Sequence, residues 1–299
     1  MREVGATILR EISSRYGLHV EAGSTLHGGE ESSITKVRSG EASFVVRVSP
    51  AWRTLAELAW AYELAAFAAT EIPEALAPVR ARDGSLAFEH DGRVVSVFPY
   101  VDGEVLDRSS ERERDSAARL LARLHRVLPS WPNARPRPAS RPNAPVLIPR
   151  IDPPGLDDPA LDAAVHRLSS TATPALAHGD YYRGNVRCVD HRIVALFDWD
   201  DVCVWTLENE LAWSVWEFTQ ADDAATLDLS RARRFLDIYS ASGGTAPLGD
   251  LGFIVPFIRD DIRTEIREAA AMADAGHVPD PAYVQRSNEA FVNLGRVTL

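Results

Sequence analysis

The chain has 299 residues, 45% hydrophobic and 25% charged, a balance that suits a soluble globular protein whose core needs no disulfide or metal staple. Lys and Arg number 32 against 43 Asp and Glu, a net charge of −11, which excludes sequence-independent binding to nucleic acid or to anionic membranes, since both draw on clustered positive charge. Two cysteines, Cys188 and Cys203, exclude a disulfide scaffold, and no stretch is apolar for the length of a membrane span or signal peptide, so a reduced, cytoplasmic setting without an obligate protein partner is expected.

Val4, Ile8, Leu9 and Ile12 recur at helical spacing, so the chain is expected to open with an amphipathic helix. Residues 33–38 and 42–49 are rich in β-branched side chains and are joined by Ser39-Gly40-Glu41, which predicts a hairpin. Gly28-Gly29 stands just ahead of its first strand. Over 51–70 the apolar residues Leu55, Leu58, Ala59, Tyr62, Ala66 and Phe67 are spaced by three and four, a helix that Ile72-Pro73 ends. Strands at 86–90 and 93–99 flank Asp91-Gly92, a two-residue hairpin signal. The first hundred residues thus read as an antiparallel sheet with one inserted helix, and Tyr100-Val101-Asp102-Gly103 reads as a hinge. A helix is expected at 116–128, with Ala117, Leu120, Leu121 and Leu124 on one face. Nine of the 19 prolines then fall between Pro129 and Pro154, beside Arg135, Arg137, Arg141 and Arg150, which excludes a regular helix there. From 156 onward the pattern is helical, apart from a loop-and-strand block at 176–202.

That block carries the chemistry. His178, Gly179 and Asp180 precede Asn185 on a tight loop, since Gly179 and Gly184 both permit unusual backbone angles. Strands at 186–189 and 193–197 form a hairpin around Asp190-His191, which is expected to return Asp198 close to Asn185. An Asn and an Asp at the end of a hairpin supply hard oxygen ligands suited to Mg²⁺. An Asp on the preceding loop can take a proton from an attacking hydroxyl. This is the catalytic layout of protein-kinase-type phosphoryl transfer.

His178-Gly179-Asp180, four residues, Asn185, then Asp198-Trp199-Asp200 resembles the signature of the aminoglycoside phosphotransferase and choline kinase-like superfamily. Leu120-Leu121-Ala122-Arg123-Leu124-His125, Gly28-Gly29-Glu30-Glu31-Ser32-Ser33 and the hinge at 100–103 are similar to further family segments, so that most of 20–215 is covered. The resemblance implies an α+β, protein-kinase-like two-lobe fold. Residues 1–100 would form a small antiparallel sheet lobe that binds nucleotide. Residues 101–299 would form a larger, mainly helical lobe for catalysis and substrate, with a proline-rich connection at 129–155. It implies Asp180 as the catalytic residue, Asn185 and Asp198 as metal ligands, and His178 and Asp200 in support. It implies a nucleotide site built from Gly28, Gly29, Ser32, Ser33, Arg47, Glu57, Pro99 and Val101, with ATP or GTP and Mg²⁺ bound. Arg47 stands where the family often has lysine, and Glu57 is its expected ion-pair partner, with Glu63 the alternative. The only lysine, Lys36, lies on the preceding strand.

Other residues carry structural expectations. Glu210 is expected to anchor its helix to the catalytic loop, and Cys188, Cys203, Trp199, Trp205, Trp213 and Trp216 to be packing residues. The expected reaction is transfer of the γ-phosphate to a hydroxyl of a small molecule. The acceptor is an aminoglycoside or another amine-bearing compound, which would carry antibiotic resistance with it. Homoserine, another amino alcohol or a sugar is the alternative, with the arginines of 135–150 available for a carboxylate. A pseudokinase and a metal-dependent hydrolase are the readings outside kinases. For the amine, Asp261 or Glu265 on the helix around 258–272 is expected to face the cleft beside Asp180.

Overall fold

The computed structural model describes residues 4–21, 23–26, 32–133, 135–142, 144–145, 147–172 and 174–299, so Gly28-Gly29 lies outside the described residues. The chain divides into two units. The first comprises Met1–Gly103, Trp131–Pro145 and Val194–Asp201, the second Glu104–Ser130, Val146–Ile193 and Val202–Leu299. Two segments assigned from sequence to the second region, 131–145 and 194–201, therefore pack with the first.

In the first unit, helix α1 (Ala6–Tyr16) ends on Gly17, whose φ of 71° suits a left-handed helix cap. Strands β1 (Ser33–Ser39), β2 (Ala42–Val48), β3 (Phe88–His90) and β4 (Arg93–Pro99) form one antiparallel sheet in the order β1-β2-β4-β3. Ile12, Val37, Val46, Phe88, Val95 and Val97 pack into one core cluster. Side chains alternate across a strand, so Arg47, between buried Val46 and Val48, projects from the opposite face. Its backbone pairs with Ile34 on one side and Ser96 on the other, which fixes its position. The Asp91-Gly92 turn has φ of 47° and 71°, the doubly left-handed geometry that matches strand twist.

Helix α2 (Leu55–Glu71) begins with a capping box. The Glu57 N–H donates to Thr54 Oγ1 at 3.1 Å, and the Thr54 N–H donates to Glu57 Oε2 at 3.4 Å. The short turn Trp199–Asp201 packs on α2, with Trp199 fully buried. The described part of the proline-rich stretch is ordered against the same unit. Trp60 Nε1 donates to the Arg135 carbonyl at 3.0 Å, and the Arg141 N–H to the Trp52 carbonyl at 2.8 Å.

The second unit holds α3 (Glu111–Val127), α4 (Pro159–Thr171), β5 (Pro174–Ala177), β6 (Val186–Val189) and the start of β7 (Arg192–Leu196). It continues with β8 (Cys203–Thr206), α5 (Leu207–Thr219), α6 (Leu229–Ala241), α7 (Ile254–Asp274) and α8 (Pro281–Leu294). Strand β5 pairs with β8, α5 packs on α3, α6 and α7, and α7 packs on α4 and α8. Strands β6 and β7 pair around Asp190-His191, with φ of 48° and 62°, so two non-glycine residues adopt the left-handed turn. Among the described residues no helix is long and apolar enough to cross a membrane.

Candidate active site

The first unit gathers a charged cluster around Arg47. Its Nη1 donates to Asp198 Oδ1 at 2.7 Å, its Nη2 lies 2.9 Å from Asp200 Oδ2, and its Nε donates to Ser32 Oγ at 3.3 Å. Asp198 itself has φ of 64°, a left-handed conformation that a non-glycine residue rarely takes. Asp200 is buried and accepts from the Tyr62 hydroxyl at 3.1 Å through Oδ1, while its Oδ2 faces Arg47. Burial pushes the Asp200 carboxyl up to about 6; Arg47 opposes the shift and the Asp198 charge adds to it. One arginine thus serves two carboxylates. The two carboxylates gathered there supply hard oxygen donors of the kind that suits a divalent cation such as Mg²⁺.

Glu57 does not pair with Arg47. The capping box draws its carboxylate back over the N-terminus of α2, where Arg53 Nη1 at 2.6 Å, Arg137 Nη2 at 2.7 Å and Ser140 Oγ at 2.9 Å all donate to Oε1. Burial alone would raise Glu57, but these hydrogen bonds hold it below the usual glutamate range. Arg53 also bonds Asp201 Oδ1 at 2.6 Å, and Arg137 donates to the Asp200 carbonyl at 2.5 Å, so the two arginines tie the 199–201 turn to α2. Glu63, the other expected partner, pairs with Arg80. Lys36 places its Nζ 3.4 Å from the centre of the Tyr100 ring.

The second unit carries the loop after β5. Gly179 has φ of 82°, which a side chain would strain, and its N–H donates to Glu210 Oε1 at 3.0 Å. Glu210 Oε2 lies 3.1 Å from His125 Nε2, and His125 Nδ1 lies 2.6 Å from the Tyr239 hydroxyl. Burial would raise Glu210, but the His125 bond and charge keep it below the glutamate range, as a buried anion that anchors the loop. Tyr181 is buried, its hydroxyl donating to the Ala117 carbonyl at 3.0 Å. On this frame Asp180 is held by Asn185, whose Nδ2 donates to Asp180 Oδ2 at 2.7 Å and to its carbonyl at 3.0 Å. The Asp180 N–H donates to His178 Nδ1 at 3.4 Å. Gly184 leaves no room for a Cβ, which would stand 2.5 Å from the Tyr182 ring.

The same unit contains a cavity of about 160 Å³ lined in part by Arg108, Trp216, Glu217, Glu265, Tyr283 and Arg286. Burial pushes Glu265 up to about 8; a hydrogen bond with Tyr283 opposes this, and the Glu217, Glu268 and Asp180 charges add to it. Burial also raises Glu217, against the nearby Arg108 and Arg183. Among the described residues neither glutamate lies within ion-pair distance of a basic group.

Residues 23–245 match the sequence profile of the phosphotransferase enzyme family. The chain belongs to that family. A search of curated proteins finds no match. Among solved structures, this phosphotransferase is similar to amicoumacin kinase hAmiN in complex with AMP-PNP and Ca²⁺, with a TM-score of 0.73 and 11% identity over 97% of this chain and 93% of that one. It is similar to a microcompartment-associated aminopropanol kinase, with a TM-score of 0.69 and 16% identity over 97% and 95%. It is also similar to choline kinase LicA from Streptococcus pneumoniae, with a TM-score of 0.65 and 15% identity over 97% and 98%. At such identities the likeness establishes the fold, which is α+β and protein-kinase-like.

Set against the sequence, the structure brings Asp180 to Asn185, and Arg47 to Asp198, Asp200 and Ser32. Ser33 opens β1, Pro99 closes β4, and Val101 follows it half-buried, while Gly28 and Gly29 lie outside the described residues. Of the two carboxylates expected at the cleft, Glu265 lines the cavity and senses the Asp180 charge, while Asp261 is absent from the lining. Asp261 is instead largely buried, with Oδ2 unbonded and its pKa raised by burial. Of the arginines of 135–150, Arg137 bonds Glu57 and Arg141 pairs with Glu89, both within the first unit. Sequence reasoning missed Arg53, Tyr62, Arg108, Glu217 and Tyr283. Only Arg53 had a readable signal, four residues ahead of Glu57 and thus able to meet it at the start of a helix.

Proposed function

We propose that this phosphotransferase transfers the γ-phosphate of ATP to a hydroxyl of a small, amine-bearing molecule in the cytoplasm, where ATP is made. The hydroxyl oxygen attacks the γ-phosphorus, the bond to the β–γ bridging oxygen breaks, ADP leaves, and the hydroxyl proton passes to Asp180. The observation that carries this reading is the Asp180 carboxylate on a loop braced by Asn185 and by the Gly179–Glu210–His125 chain. A carboxylate held this rigidly can orient a hydroxyl in each turnover. Asp198, assisted by Asp200, would hold Mg²⁺, which would neutralise phosphate charge. Arg47, now on Asp198 and Asp200, is the cation suited to exchange those carboxylates for phosphate oxygens. The adenine nucleotide in hAmiN favours ATP over GTP.

Asp180→Ala is expected to lower kcat roughly 10²–10⁴-fold with ATP affinity nearly unchanged. Phosphate transfer to an amino-alcohol and hydroxylated-antibiotic panel measures this. Turnover within a factor of a few of wild type would reject the role. A pseudokinase would bind nucleotide and transfer nothing in either form.

A further inference from the structure

The cavity that Glu265 lines holds charges of both signs. Glu217 on α5 and Glu265 on α7 face it from one pair of helices, while Arg108, ahead of α3, and Arg286 on α8 also line it. A pocket built for an amine alone needs only the glutamates. Arg108 is half-buried, its Nη1 donating to Gln220 Oε1, and among the described residues no carboxylate lies within ion-pair distance of it. Burial lowers its pKa, and the Arg183, Arg231 and Arg286 charges add to this against Glu217 alone. A half-buried guanidinium set among other arginines and opposed by Glu217 is only partly compensated, and an incoming anion relieves it. Arginine suits a carboxylate in particular, because its planar fork matches the two oxygens.

The cavity also lies within electrostatic range of the catalytic loop. Arg183, in the turn that ends at Asn185, acts on both Arg108 and Glu217, and Asp180 acts on Glu265. Its volume of about 160 Å³ is below the roughly 300–1,000 Å³ of sites for drug-sized ligands, which favours a compact acceptor over a multi-ring antibiotic.

We propose that the acceptor is a compact zwitterionic alcohol, its ammonium group held by Glu217 and Glu265 and its carboxylate by Arg108 and Arg286. The inference rests on the kinase reading and narrows it to hydroxy amino acids. In that arrangement the hydroxyl is the part left to reach Asp180, while both charged ends are fixed.

Calorimetry on the full chain with Mg²⁺ and ADP tests it. The probes are L-serine, L-threonine and L-homoserine, with 3-aminopropan-1-ol as the amine alone and 4-hydroxybutanoate as the carboxylate alone. At least one hydroxy amino acid is expected to bind about tenfold or more tightly than either half-molecule. Arg108→Gln and, as a second variant at a more exposed position, Arg286→Gln should each remove most of that advantage while leaving 3-aminopropan-1-ol unchanged. Arg108→Lys should restore part of it. The proposal is overturned if 3-aminopropan-1-ol binds as well as the amino acids, if both arginine variants weaken amine and amino acid alike, or if no probe binds. The kinase reading has its own test in Asp180-dependent phosphate transfer, so zwitterion selectivity can fail while transfer to another alcohol stands.

Discussion

Two carboxylate clusters in this phosphotransferase invite comparison. In the first unit, Asp198 and Asp200 share Arg47, and Glu57 next to them shares Arg53 and Arg137. In the second, Glu217 and Glu265 are half-buried, among the described residues no arginine lies at ion-pair distance from them, and burial pushes Glu265 up to about 8. Asp200 reaches only about 6 in spite of deeper burial, because Arg47 and Arg53 oppose the desolvation. The same side-chain chemistry thus yields two states. A paired carboxylate is held as an anion, ready to exchange its cation. Glu265, without such a partner, is held largely as the acid near pH 7, and ionises when a cationic ligand arrives.

The largest expected effect that bears on this contrast is at Arg47. Arg47→Ala leaves Asp200 buried and Asp198 half-buried without the cation they share. It should cost about 3 kcal/mol, the low end for removing one partner of a buried pair. Denaturant melts measure it, and Arg47→Lys should recover part. A loss below about 0.5 kcal/mol, the range of neutral surface changes, would break the comparison.

Glu265→Gln comes next. The folded protein holds the Glu265 proton more tightly than the unfolded chain does, so stability should fall as pH rises from about 5 to 8, and the Gln variant should flatten that fall. Glu217, Tyr283, Arg108 and Arg286 line the cavity with Glu265, and the Glu268 and Asp180 charges also act on it. Because a cationic acceptor must expel that proton, its KM should also fall between pH 6 and 8 in wild type but not in the variant. Initial rates and thermal melts in the same buffers report both slopes, and parallel slopes in the two proteins would place the titration elsewhere.

The smallest effect is expected at Arg137. Arg137→Ala should cost about 1 kcal/mol, the ordinary net worth of a hydrogen bond, because Arg53 and Ser140 still serve Glu57. A much larger loss in a melt would mean that the proline-rich stretch, rather than the capping box, holds Glu57 in place.

Local chemistry made much of this protein legible in its sequence. The hairpin at Asp91-Gly92, the turn at Asp190-His191 and the helices over Leu55–Glu71 and Ile254–Asp274 follow from turn residues and from apolar spacing, which act over a few residues. Asp180 and Asn185 were readable because two glycines and five residues of chain confine them to one loop. The anchoring role of Glu210 was readable too, although its second partner, His125, came into view only with the fold.

Apart from Arg53 with Glu57, the ion-pair partners at the site were decided by tertiary structure. Arg47 and Asp198 are 151 residues apart, and Arg137 and Glu57 are 80 apart, so no spacing rule connects them. Glu57 looked available to Arg47 until the capping box turned its carboxylate toward the helix N-terminus. The mixed-charge cavity needs Arg108, α5, α7 and α8 to meet, and none of its residues forms a motif along the chain. Coulombic and desolvation energies depend on distance through space and on burial, and both are set only when the helices pack.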